Sequence, residues 1–146
     1  MIGVGDRRRT VGMTISEPLS LPATSIAPVY EHFLAAIVNR DFVGLGATLR
    51  DDVRLRALVP PGPFALAGPP AVVAQFEQWF GGGRSFEVLS HSAGVVGTRV
   101  HARWTVRRTP DAPDASPLTA EQHAFLTADD RVRSIDLLCS GWQDAR

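Results

Sequence analysis

The stretch that most limits how this chain can fold is Glu121–Trp142, EQHAFLTADDRVRSIDLLCSGW. It reads as two strands joined by a tight turn at Ala128-Asp129-Asp130-Arg131. One parity of the pair carries Gln122, Ala124, Leu126, Ile135, Leu137 and Cys139; the other carries Glu121, His123, Phe125, Ser134, Asp136 and Leu138. A hairpin with one largely apolar face must bury that face against a second layer.

The strand pattern extends upstream. Phe86–Ser90 reads as one strand, and Gly94–Thr109 contains another. In the latter, Val100, Ala102 and Trp104 alternate with Arg99, His101, Arg103 and Arg107. Ser90-His91-Ser92 is expected to be a turn that places His91 in a loop. Pro110–Pro117 is expected to be a flexible hairpin loop.

The covering layer has to come from the first half. Ile26, Val29, Tyr30, Phe33, Leu34, Ile37 and Val38 recur at helical spacing. They predict a helix from a Ser25 cap to about Asn39, with Pro28 in its first turn and His32 on an exposed flank. Asp41 opens a shorter helix carrying Phe42, Leu45 and Leu49 inward. Val53–Val59 alternates as a strand, stopped by Pro60-Pro61-Gly62-Pro63. Phe64–Pro70 is an apolar loop with room for a short edge strand. A third helix starts at Pro69 or Pro70, bears the stripe Val72, Val73, Phe76, Trp79 and Phe80, and ends at Gly81-Gly82-Gly83. Three helices and then an antiparallel meander make an α+β domain over residues 25–146, with residues 1–24 as a flexible tail and Met13 as a candidate natural start.

Composition excludes several functions. The 146 residues suit one domain, and a net charge of zero gives no basic surplus for nucleic acid. All 15 positive residues are arginine, which fits a high-GC bacterial genome. The single cysteine, Cys139, excludes an intrachain disulfide and a CxxC metal site. No apolar run approaches the roughly 20 residues of a membrane span. Arg7-Arg8-Arg9 is followed by a polar, proline-broken stretch in place of an export signal's apolar core, so a cytoplasmic protein is expected. No nucleotide fingerprint is present, because Gly81-Gly82-Gly83 closes a helix; no cofactor and no metal are expected.

The order of elements resembles the nuclear transport factor 2-like (NTF2-like) superfamily, which includes SnoaL-type polyketide cyclases, ketosteroid isomerases and scytalone dehydratase. Tyr30–Asp41 is similar to the family's first helix, Leu49-Arg50-Asp51-Asp52-Val53 to its entry into the first strand, and Gly68–Phe80 to its third helix. The segment from Glu121 through Trp142 resembles small stand-alone actinobacterial members. The resemblance covers roughly residues 25–142. It implies an NTF2-like cone: three N-terminal helices packed on a curved antiparallel sheet, open at one end. It also shows where isomerase chemistry is missing. The isomerases' general-base aspartate matches Ala57, their oxyanion tyrosine matches Phe33, and a supporting tyrosine falls near Phe76. Their protonated aspartate matches Gln122, which cannot act as that acid. The His/Asp dyad of the dehydratase has no counterpart.

Within that frame, the pocket lining is expected from Phe33, Ile37, Ala57, Val59, Phe76, Phe80, Trp104, Ala124, Leu137, Cys139 and Trp142. The same residues would serve equally as a filled core. Gln122 is the candidate to orient a substrate carbonyl, and Tyr30 the candidate for proton transfer. Two readings follow. One is a cofactor-independent cyclase, isomerase or dehydratase acting on an apolar or aromatic, polyketide-like molecule in secondary metabolism. The other is a non-catalytic homodimeric module binding a small ligand or a partner protein through the outer sheet face, which carries His101, His123, Phe125, Asp136 and Leu138. A shift of one residue in strand register would exchange the faces and put His101 and His123 inside.

Overall fold

A computed structural model describes residues 26–83 and 85–145. The expectations for the 1–24 tail and the Ser25 cap lie outside these residues. Among the described residues, three helices precede and interrupt one sheet of seven strands. Helix α1 spans Pro28–Val38. It starts at an Ala27 cap with Pro28 in its first turn, where a missing N–H costs no helical bond. It buries Phe33, Leu34, Ala36 and Ile37. Helix α2, Phe42–Ala47, is capped by Asp41, whose carboxylate accepts from the Gly44 N–H at 2.9 Å. Strand β1, Leu49–Val59, begins earlier than the alternation suggested and takes Leu49 out of the second helix. It turns at Pro60-Pro61 into β2, Gly62–Ala67. The apolar loop after Pro63 is therefore a paired edge strand. Helix α3, Pro69–Phe80, follows Gly68 and buries Val72, Phe76 and Phe80.

Four strands form the meander: β3 (Ser85–Val96), β4 (Arg99–Thr109), β5 (Leu118–Ala128) and β6 (Val132–Cys139). A two-residue β7, Gln143–Asp144, pairs with the start of β5. The turn expected at Ser90-His91-Ser92 is absent. Strand β3 runs through it, with a bulge near Leu89, and reverses at Gly97 instead, whose φ of 62° suits glycine. His91 is thus an exposed residue of an edge strand, paired with Trp104.

Spatial order is β2-β1-β6-β5-β4-β3. The sheet is mixed, which corrects the all-antiparallel expectation: β1 and β6 are parallel, with Leu55 opposite Ile135 and Ala57 opposite Leu137. The cause is topological. Strand β3 runs opposite to β1, and three reversals bring the chain back in the direction of β1. The helices cover one face of this sheet. Facing them are Val53, Leu55, Ala57, Val100, Ala102, Trp104, Gln122, Ala124, Leu126, Ile135 and Leu137, all buried. The strand register is therefore the one in which His101 and His123 point away from the core.

Candidate functional site at the open end of the sheet

The deep part of the space between helices and sheet is filled. Phe33, Phe76 and Trp104 are fully buried, with ring centroids 6.3–6.4 Å apart. Phe33 and Phe76 meet nearly edge to face, a favoured aromatic geometry. Ile37, Ala57, Ala124 and Leu137 belong to the same core. These seven expected lining residues form packing.

Toward the open end the packing stops and leaves a cavity of about 360 Å³. Val59, Pro60 and Pro61 from the β1–β2 turn form one side, and Trp79 and Phe80 from the end of α3 form another. Ala120 and Gln122 of β5, Cys139 at the end of β6, and Gly141 and Trp142 complete it. The three-residue connection between β6 and β7 shapes this wall. Gly141 has φ 76°, and a Cβ there would lie 2.7 Å from Pro60 Cγ, so only glycine brings Trp142 past the proline turn. Phe80 then meets Trp142 edge to face at 6.4 Å.

Gln122 lies where the filled and open parts meet. It is 1% exposed, and its amide is fixed at both ends. Oε1 accepts from the Trp104 indole N–H at 2.9 Å, and Nε2 donates to Cys139 Sγ at 3.3 Å. The Gly141 N–H also donates to that sulfur at 3.3 Å. These bonds satisfy a buried polar side chain and set which way its carboxamide faces. Of the expected site residues, Val59, Phe80, Gln122, Cys139 and Trp142 are brought together here; Tyr30 packs at the edge of the core, away from the lining. Among the described residues, no carboxylate or histidine lines the cavity.

Two residues beside this site escaped the sequence reading. Arg108 donates from Nη1 to the Trp79 carbonyl at 3.1 Å, with its guanidinium 4.4 Å from the Trp142 ring centroid. Arg40 donates to the Phe80 carbonyl at 3.0 Å and lies over Phe86 at 4.5 Å. Together they satisfy carbonyls at the C-terminal end of α3, whose last turn carries no basic residue of its own. Burial pulls the Arg108 guanidinium below its ordinary value. Parity would have found it: Trp104, Val106 and Arg108 are on one face of β4.

On the outer face, His101 Nε2 and His123 Nδ1 are 2.9 Å apart, and His123 Nε2 meets Glu121 Oε2 at 2.5 Å. His101 stacks on Phe125 with centroids 4.8 Å apart. Burial, then His123 and Arg103, lower the His101 pKa. Asp136 is held between Arg56 and Arg99 at 2.7 and 2.5 Å, which keeps its carboxyl below the usual range. Among the described residues, no group of three or more His, Cys, Asp or Glu could hold a metal ion. No helix among them is long and apolar enough to cross a membrane.

The sequence matches the model of the SnoaL-like domain over residues 30–134. The chain belongs to the SnoaL-like domain family. Solved structures agree on the fold. One is an epoxide hydrolase of the LEH-like type from M. tuberculosis, 21% identical, with a TM-score of 0.58 over 77% of this chain and 80% of that one. Another is a putative polyketide cyclase from Xanthomonas campestris pv. campestris, 19% identical, TM-score 0.59, covering 76% and 87%. A third is a protein of ketosteroid isomerase-like fold from Catenulispora acidiphila in complex with trimethylamine, 12% identical, TM-score 0.61, covering 77% and 85%. At these identities the likeness concerns the fold alone. No curated protein matches the chain significantly. The SnoaL-like fold thus accounts for the helix-covered, curved mixed sheet.

Proposed function

We propose that the chain binds a small apolar or aromatic molecule in the cavity between Trp79, Phe80, Trp142 and Gln122, with the Gln122 carboxamide as the polar contact that orients a carbonyl. The observation that carries this reading is a cavity of about 360 Å³ with aromatic walls and a single oriented amide at its floor. Small-molecule sites have this make-up, with volumes of about 300–1,000 Å³. Binding is favoured over catalysis because the described lining residues include no carboxylate or histidine to move a proton. Among the described wall residues, a cyclase, isomerase or dehydratase would have Gln122 and the Cys139 thiol to work with, since Tyr30 is not in the wall. An epoxide hydrolase and a putative polyketide cyclase among the similar structures support an enzyme as the alternative reading.

The test is titration with the neutral aromatic amide 1-naphthaleneacetamide, followed by fluorescence of the wall tryptophans. Saturable binding that Val59→Phe weakens by about tenfold supports the site. Binding that is absent, or unchanged when the cavity is narrowed, overturns it.

A second reading is a homodimeric module using the outer sheet face. It is favoured by Leu58 and Leu138, register partners on β1 and β6 that are 52% and 49% exposed, beside Phe125. Sedimentation would show a dimer that Leu138→Arg dissociates. A wild-type monomer refutes it. A cytoplasmic location belongs to both readings.

A further inference from the structure

We propose that Arg108 anchors an acidic group of the ligand, so that the cavity takes molecules with an apolar or aromatic body and a carboxylate. This rests on the reading of the cavity as a ligand site. Arg108 is on the inner face of β4, opposite Leu118, and Leu118 is two residues along β5 from the lining residue Ala120. Its guanidinium lies over Trp142 and bonds the carbonyl of Trp79, and both tryptophans line the cavity.

This arginine meets no acid among the described residues. Arg50, Arg56, Arg99, Arg107 and Arg133 each pair with a carboxylate. No carboxylate of the described residues forms an ion pair with Arg108. A guanidinium has five N–H donors. Capping α3 uses one of them, on Nη1. Nε is shut off from solvent with no partner among the described residues. Nε and Nη2 form the edge that a carboxylate grips side-on through two parallel bonds. A helix cap needs neither, and a buried N–H with no acceptor is rare in a settled core. Arg108 lies behind the lining and not in it, and its Nε is closed to solvent, so the Trp142 indole over the guanidinium must shift when the acid group binds.

The test compares 1-naphthaleneacetate with the neutral 1-naphthaleneacetamide on the full chain at pH 7 by calorimetry. The acid should bind at least ~10-fold tighter, with a preference that shrinks as salt rises. Arg108→Gln should abolish that preference, read as the ratio of acid to amide affinity in the same protein. Arg108→Lys, which keeps the charge and loses the planar fork, should retain only part of it; this variant serves if the glutamine protein does not fold. Equal affinities in the wild type, or an acid preference that survives both substitutions, overturn the anchor while the cavity reading stands. Failure of both probes to bind overturns the two together.

Discussion

Gln122→Leu puts the central feature of the site to a quantitative test. The side chain is buried, and its Oε1 is the acceptor for the equally buried Trp104 N–H. Leucine fills similar space but accepts nothing, so the indole N–H is stranded. A buried donor left unpaired costs about 1–3 kcal/mol. The lost Nε2 contact to Cys139 Sγ at 3.3 Å adds little, since sulfur is a weak acceptor. Extra apolar burial by leucine offsets part of the loss, leaving a net destabilisation of about 1–2 kcal/mol. For a domain near this size that lowers Tm by roughly 2–4 °C per kcal/mol. Urea denaturation of the wild type, Gln122→Leu, Trp104→Phe and the double variant closes a cycle. The two substitutions should couple by about 1 kcal/mol, because the cost of replacing Gln122 disappears once no indole N–H remains. A Gln122→Leu protein as stable as the wild type, with coupling under ~0.3 kcal/mol, would refute the account of Gln122 as a fixed acceptor.

Three further outcomes are expected. Gly141→Ala forces a Cβ toward Pro60 at φ 76° and should cost at least about 1–2 kcal/mol, read as a drop in Tm. His101 has a folded pKa below its ordinary 6.5, so the unfolded chain takes up the proton first. Its contribution is present above about pH 6.5 and fades as pH falls; His101→Gln should flatten the stability slope between about pH 7 and 5, and an unchanged slope counts against this. Asp136 also has a lowered pKa: Arg56 holds it down most, burial pushes the other way, and Arg99 adds to the lowering. Its contribution is present above about pH 4 and is lost as pH falls through the lowered folded pKa, so in urea melts Asp136→Asn should cost about 1 kcal/mol at pH 7 and progressively less in acid.

The inner face was legible because burial on one side of a sheet forces alternation, and Trp104, Gln122 and Cys139 fell on it by counting in twos. Strand β3 was not legible beyond Ser90. It is an edge strand with mostly exposed side chains, so SHSAG carries no apolar rhythm, and the Leu89 bulge breaks what parity exists. Nor does any local pattern announce that β1 lies parallel to β6, because that pairing is set by the number of reversals between them. The lining residues could be listed from sequence, but their division into core and cavity could not. It depends on Phe33, Phe76 and Trp104 meeting one another, and on Gly141 letting Trp142 stop short of them. Arg108 is legible by parity, but its place beside the outward Arg107 makes the pair look like two solvated arginines.

The parallel pairing of β1 with β6 joins Leu49 to Val132 and Leu55 to Ile135, residues from opposite ends of the domain. As the chain emerges from a ribosome, β1 can gain β2 at once, but its other edge must wait until the last long strand has been made. Such long-range closure slows folding and leaves a hydrogen-bonding edge open in the meantime. The arginines at Arg50, Arg54 and Arg56, spaced along that waiting edge, keep it charged and discourage it from pairing with a neighbouring nascent chain.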